Sequence, residues 1–207
     1  MKSILCFGDS ITWGYNPLTG SRFDFRETWP AIMQEMLGKD YRVITEALVS
    51  RTTCWDVPYS PYRNGSACLP MLLESHAPLD LVIIMLGIND LNKQLGKTSG
   101  ESAWGLIALI RQIFSPLMGG KLPGILIVSP PALGKLSPFN EMAYGGKETE
   151  SKKLAECQRI AAKECLCDYF DSNEVVKACD EDGLHLMPGE LKKLGEAIAK
   201  KVLEMRI

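Results

Sequence analysis

Histidine is scarce in this chain. Among 207 residues there are two, His76 and His185, so any proton shuttle needing an imidazole near neutral pH must use one of them. Long apolar runs are missing as well. The strongest, Leu81 to Ile88, is far below the roughly 20 residues needed to cross a bilayer. The N-terminal run Ile4-Leu5-Cys6-Phe7 is too short for a secretory signal and passes directly into Gly8-Asp9-Ser10. A soluble, unprocessed, cytoplasmic protein with no membrane span is the expectation. Charge of one sign does not accumulate: 23 Lys and Arg face 25 Asp and Glu, for a net charge of −2 and no basic stripe. Nucleic acid and anionic membranes are therefore poor partners. The seven cysteines are an odd number, and Cys165-x-Cys167 has no Cys or His set beside it to complete a zinc site. They suit a reducing compartment, serving as small apolar residues, and neither metal nor cofactor is expected. There is no G-x-S-x-G, which excludes the nucleophile elbow of α/β-hydrolases. Gly96-Lys97-Thr98 is only the tail of a P-loop, because Leu91 stands where the first glycine is required.

What is present is an alternation of β-rich and helical patterns from end to end, over a length that fits one domain spanning 1–207. Strands are predicted at Ile4–Phe7, Tyr41–Ala47, Leu81–Leu86, Gly124–Ser129 and Asp168–Phe170. The third and fourth are continuously apolar, as strands covered on both faces should be. Helices are predicted over Trp29–Leu37, along the face Ala103, Leu106, Ile107, Ile110, Phe114 and Leu117 with an end at Gly119-Gly120, along Leu154, Cys157, Ile160 and Ala161, and along Leu191, Leu194, Ile198 and Val202. This order implies a five-stranded parallel sheet with helices on both faces, a flavodoxin-like three-layer αβα sandwich of the α/β class. In such sheets ligands bind at the carboxyl ends of the strands.

Four chemically equipped segments fall at that edge. Gly8-Asp9-Ser10 follows the first strand, Ser50 the second, Asn89-Asp90 the third, and Asp182-Gly183-Leu184-His185 lies between the fifth and the last helix. Ser10 is a nucleophile once a base takes its proton. His185 is the base, and Asp182 can accept the other ring N–H and fix the tautomer. The Asn89 amide and the backbone N–H groups of Ser10 and Ser50 are candidate donors for an oxyanion. By contrast, His76, near a helix end and before Pro78, reads as structural. Asp9 and Asp90 read as residues that hold their own turns rather than as a glycosidase pair.

Phe7-Gly8-Asp9-Ser10-Ile11-Thr12, Gly87-Ile88-Asn89-Asp90 and Asp182-x-x-His185 together resemble three of the four sequence blocks of the SGNH (GDSL) hydrolases, in that family's order. The resemblance covers essentially the whole chain and is greatest to the arylesterase and acyltransferase branch, through Ser50-Arg51-Thr52-Thr53, Arg63-Asn64-Gly65-Ser66 and Val128-Ser129-Pro130-Pro131. It implies a cofactor-free serine esterase acting on small-molecule esters of short acyl groups through an acyl-serine, with transfer to alcohols or peroxide as an alternative to hydrolysis. It also implies that homo-oligomers occur, although no interface residues are readable. The second block departs from the family pattern: Ala47-Leu48-Val49-Ser50 has no glycine, and Ser50 stands in the matching place.

Ile11, Trp13, Ile88 and Leu184 flank these residues in sequence and are candidate walls of an acyl pocket. Acetylated carbohydrate, a thioester or a lysophospholipid would use the same triad. A non-catalytic binding module on the same scaffold is the rival from another class.

Overall fold

Successive side chains of the central strands point to opposite faces of one sheet, and both faces are covered. In β1 (Lys2–Gly8), Ile4 and Cys6 join one apolar cluster while Leu5 and Phe7 join another. β3 (Leu81–Met85) and β4 (Gly124–Ser129) divide in the same way, Ile83 and Val128 to the first cluster, Val82 and Ile127 to the second. That two-residue period explains why these strands read as unbroken apolar runs. The protein is seen here in a computed structural model that describes residues 1–114, 122–205 and 207.

The five strands are all parallel and ordered β2-β1-β3-β4-β5, with β2 at Tyr41–Ala47 and β5 at Asp168–Asp171. The edge strands are only partly buried and carry most of the charged residues of the sheet, Arg42 and Glu46 on β2, Asp168 and Asp171 on β5. One face is covered by α2 (Trp29–Leu37) and α7 (Pro188–Met205), which pack through Trp29, Met33, Leu191, Leu194, Ile198 and Val202. The other is covered by α3 (Gly65–His76), α4 (Ser99–Ile113) and α6 (Glu148–Glu164). The result is the three-layer αβα sandwich expected from the alternation of elements.

Local corrections are few. α4 ends at Ile113, with Phe114 as its cap and 41% exposed, and its inner face carries Leu109 and Ile113 instead. Leu117 and Gly119-Gly120 lie outside the described residues. Ile160 is half-exposed, so α6 buries Leu154, Ala155, Gln158, Ala161 and Ala162. Two helices lie outside the predicted set, α3, of which the sequence marks only the end near His76, and the short α5 (Pro138–Tyr144). α5 carries an ordinary start signal, a Ser137 side chain accepting from Asn140 N–H with proline in the first turn.

The strand order places a topological switch between β1 and β3. The chain leaves β1 for β2 on one side and returns to β3 on the other, so the loops after β1 and β3 diverge and leave a crevice at their carboxyl ends. Ser10 follows β1, and Asn89 lies in a 3₁₀ turn (Ile88–Leu91) after β3.

Candidate active site

Gly8 ends β1, and Asp9 caps the single-turn helix α1 (Ser10–Trp13) by accepting from Ile11 N–H at 3.0 Å. A Cβ on Gly8 would lie 2.0 Å from Thr12 Oγ1, so only glycine lets the turn close tightly enough to present Ser10 directly after the strand. From the far end of the chain, His185 brings Nε2 to 2.9 Å from Ser10 Oγ. Its Nδ1 lies 2.5 Å from Asp182 Oδ2.

Asp182 is held by the turn that it builds. Its Oδ1 accepts from the backbone N–H groups of Leu184 and His185, both at 2.9 Å, and from the Cys179 thiol at 3.4 Å. The turn passes through Gly183 at φ 71°, where a Cβ would sit 2.3 Å from the Lys135 carbonyl oxygen. Burial works to raise the Asp182 pKa. The His185 hydrogen bond and charge and the two backbone donors outweigh it, so the carboxyl is held at about 2. It is a carboxylate throughout the neutral range, able to orient the imidazole and to stabilise its protonated form.

Asn89 is buried and fully engaged. Its Nδ2 donates to the Arg51 carbonyl at 3.0 Å and to Asp9 Oδ2 at 3.2 Å, and its Oδ1 accepts from the Tyr144 hydroxyl at 2.8 Å. Ser50, in the loop after β2, has φ 61°, in the left-handed region that favours glycine. Among the described residues, neither the Ser10 nor the Ser50 backbone N–H has a hydrogen-bond partner.

The two other acids of these loops are completely buried. Asp9 accepts from Ile11 N–H and from the Asn89 amide, as described. Asp90 reaches beyond its own turn, accepting from Thr53 N–H at 2.9 Å, Thr53 Oγ1 at 2.7 Å and Ser102 Oγ at 2.7 Å. It therefore ties the second and third loops to α4. Burial raises both carboxyls to about 6 against these stabilising contacts. The Arg51 guanidinium lies over the Phe7 ring, 4.3 Å from its centre, and donates to the carbonyls of Gly8 and Glu46, bracing β1 and β2 where the site begins.

These residues open into a cleft of about 630 Å³ that Ser10, Ser50, Asn89, Asp182, Leu184 and His185 all border. A depression of about 710 Å³ beside α2 and α7 is lined by residues such as Arg26, Glu35 and Lys192 and contains no paired nucleophile and base. The reactive groups are in the smaller space.

A family model described as GDSL-like lipase/acylhydrolase matches residues 6–189. The chain belongs to that family. Among solved structures, this GDSL protein is similar to Est24, a carbohydrate acetylesterase from Sinorhizobium meliloti, at 37% identity and a TM-score of 0.95 over 99% of this chain and 100% of that one. It is similar also to the M. smegmatis aryl esterase, at 35% identity and a TM-score of 0.95, with 99% of each chain covered. A second Sinorhizobium meliloti carbohydrate acetylesterase family member matches at 35% identity with the same TM-score, again over 99% of each chain. No curated protein matches the chain.

The walls of the GDSL protein's cleft differ from the sequence expectation. Ile11 and Ile88 are core residues, buried in two different apolar clusters, and do not border the cleft. Trp13 lies under the Arg22 guanidinium, 5.2 Å from its ring centre, and is also outside the lining. Of the four candidates only Leu184 borders the space. Flanking a reactive residue in sequence is a poor guide here, because a strand-to-helix turn sends alternate side chains into the core.

Most of the residues that sequence reading missed are aromatic or on α5, with Pro17, Asn92 and Gln94 from other loops. The Tyr15 ring lies against the His185 imidazole at a centroid distance of 4.3 Å, just past the left-handed Gly14 that ends α1. Tyr59 and Pro17 form part of the rim, and Phe139, Met142, Ala143 and Tyr144 come from α5. The start signal at Ser137-Pro138 is the one cue in the sequence that points to this wall. The loop from Pro17 to Arg26 is braced by a Tyr15–Arg22 bridge and by hydrogen bonds from Asn16 N–H to Ser21 O and Phe23 N–H to Gly14 O. His76 pairs with Glu46 at 2.8 Å on the sheet edge, apart from the cleft lining.

Proposed function

We propose that this GDSL protein is a serine esterase that hydrolyses or transfers short acyl groups of carboxylic esters through an acyl-serine. The observation that carries the reading is the continuous chain Ser10 Oγ, His185 Nε2, His185 Nδ1, Asp182 Oδ2, with links of 2.9 and 2.5 Å, opening on a cleft. With Asp182 ionised, the imidazole proton resides on Nδ1 and the lone pair of Nε2 faces the serine.

Ser10 Oγ attacks the ester carbonyl as its proton passes to Nε2. The carbonyl oxygen gains a negative charge, which the Ser10 and Ser50 N–H groups and the Asn89 amide receive. Collapse expels the alcohol, which takes the proton back from Nε2. Water, or a second alcohol, then repeats the sequence on the acyl-serine with the same proton transfers. Ser50 in a left-handed conformation supports its role as a main-chain donor, since the donated group is an N–H that serine has as well as glycine.

One observation favours acetylated carbohydrate as a second reading. Beside the aromatic rings of Tyr15, Tyr59 and Phe139, the cleft carries the side-chain amides of Asn92, Gln94 and Asn140. Apolar rings next to paired donors and acceptors suit a sugar ring. Seven free cysteines, two of them buried, support a place in the cytoplasm.

Intact-mass measurement after exposure to a fluorophosphonate tests the mechanism. One adduct on the wild type, lost in both Ser10→Ala and His185→Ala, is the expected result. Folded wild-type protein that takes no adduct would establish that the serine is not activated, and the binding-module reading would replace this one. Aryl acetates, acyl-CoA and acetylated sugars offered in parallel then separate the substrate classes.

A further inference from the structure

Asn89 is the only side-chain donor in the oxyanion site proposed above, and it acts as a donor only if its nitrogen end is held toward the reacting groups. A primary amide has two N–H donors at one end and an acceptor oxygen at the other, with little shape difference between them. The surroundings settle which end is which. Two acceptors, the Arg51 carbonyl and Asp9 Oδ2, face Nδ2 at 3.0 and 3.2 Å. A single donor, the Tyr144 hydroxyl, faces Oδ1 at 2.8 Å. Tyr144 is the last residue of α5, is 6% exposed, and packs in the cluster of Ile88, Leu91, Leu133, Leu154 and Leu184. Its ring is thus fixed by apolar neighbours, and burial raises its pKa, so the phenol keeps its proton and donates.

We propose that Tyr144 is a positioning residue for the oxyanion hole, acting through Asn89. The claim rests on the serine-esterase reading and on Asn89 serving as a donor in it. The phenol does two things at the amide oxygen. It restrains rotation about the side-chain torsion, so that Nδ2 stays between its two acceptors. It also draws electron density toward Oδ1, which makes the N–H groups stronger donors, the cooperative effect expected along a hydrogen-bonded chain of low local dielectric. Both Nδ2 hydrogens are engaged, at 3.0 and 3.2 Å, so a developing oxyanion shares one of them with its present acceptor. The benefit therefore appears as negative charge builds on the substrate, not when the ester binds.

The chain also explains an otherwise odd division of labour in α5. Phe139, Met142, Ala143 and Tyr144 all border the cleft, and Tyr144 alone also carries its hydroxyl to the amide of a different loop. One short helix thus forms a wall of the cleft and sets a donor beneath it.

The test is a double-mutant cycle of Tyr144→Phe with Asn89→Ala, read on an aryl acetate, with thermal melts and fluorophosphonate stoichiometry recorded for each protein. Phenylalanine keeps the ring in its apolar cluster and deletes only the hydroxyl. Loss of a whole oxyanion donor costs about 10²–10³-fold in kcat, and Tyr144→Phe is expected to lose about 10-fold in kcat with KM changed less than about 2-fold. In the Asn89→Ala background the same substitution is expected to change kcat less than about 2-fold. Wild-type kcat in Tyr144→Phe would overturn the proposal. So would a loss that persists in full without Asn89, which would mean that the phenol touches substrate or merely supports the fold. A wild type that turns over no ester and takes no label removes the esterase reading, and the proposal with it, a result distinct from an active enzyme indifferent to Tyr144.

Discussion

Asp182 and His185 meet twice: the Oδ2 atom of the carboxylate lies 2.5 Å from the ring Nδ1, and its Oδ1 atom accepts the backbone N–H of the same histidine at 2.9 Å. One acid therefore shapes the turn and orients the ring that the turn carries. Replacement by asparagine separates these tasks. The amide oxygen takes the place of Oδ1, where two backbone N–H groups need an acceptor, and this directs the –NH₂ group at Nδ1. The ring must then accept at Nδ1 and carry its proton on Nε2, facing the serine with the wrong group. Asp182→Asn is expected to fold normally and to lose about 10³–10⁴-fold in kcat on aryl esters, the size of effect known for the corresponding tautomer error in serine proteases. A loss below about 10-fold would show that the carboxylate does not set the tautomer.

Ser50 occupies a left-handed backbone conformation at φ 61°, which costs a non-glycine residue roughly 1 kcal/mol. Its side chain is exposed, and the contribution proposed for it is a main-chain N–H. Ser50→Gly is therefore expected to keep kcat within about 2-fold and to hold or raise the melting temperature by a few degrees, the gain being partly offset by the freedom glycine adds to the unfolded chain. Ser50→Pro removes the N–H and forbids the backbone angle, and is expected to lose both activity and stability. A large fall in kcat for Ser50→Gly at unchanged stability would mean that the serine side chain, not its backbone, takes part.

Much of this arrangement was legible in the sequence, for physical reasons that differ from residue to residue. The strands were readable because both faces of the sheet are covered, which makes β1, β3 and β4 continuously apolar. The convergence of Ser10, Asn89 and His185 on one edge follows from parallel strands, whose carboxyl ends must all point the same way. The pocket walls were not readable. Ile11 and Ile88 look like wall residues because they adjoin reactive ones, yet the turn buries them in the core. Tyr144 reaches Asn89 across 55 positions in sequence, and no local pattern records such a contact. The reach of Asp90 to Thr53 and Ser102 was hidden for the same reason.

The α5 wall offers a way to change substrate preference without disturbing the fold. Phe139 and Met142 border the cleft but are 78% and 77% exposed, so they contribute little to the core. Phe139→Ala and Met142→Ala are each expected to alter stability by less than about 0.5 kcal/mol. The KM for an aryl ester is expected to rise several-fold while kcat with a small alkyl acetate stays within about 2-fold. Comparing the two substrates in steady-state kinetics checks this, and equal effects on both would mean that α5 does not contact the larger group.

The two buried acids beside the site make a prediction about stability and pH. Asp9 and Asp90 are both held at about 6 in the folded protein, burial being the main cause, whereas an unfolded aspartate titrates near 3.9. Between about pH 4 and 6 the folded state therefore binds more protons than the unfolded state, and stability conferred by these groups falls as pH rises. Asp182 acts in the opposite direction and lower down. Its folded value of about 2 confers stability that is complete above about pH 4 and is lost as pH falls through 2. Asp90→Asn isolates the first effect, because the amide oxygen can still accept from Thr53 N–H while the two hydroxyls at the other side can turn to accept from the new –NH₂ group. Whatever constant offset the substitution introduces, the stability of the variant relative to the wild type is expected to improve on the order of 2 kcal/mol between pH 4 and 6.5. Urea denaturation at several pH values measures this difference directly. A difference independent of pH would show that Asp90 is ionised throughout the range and that its three hydrogen bonds outweigh burial.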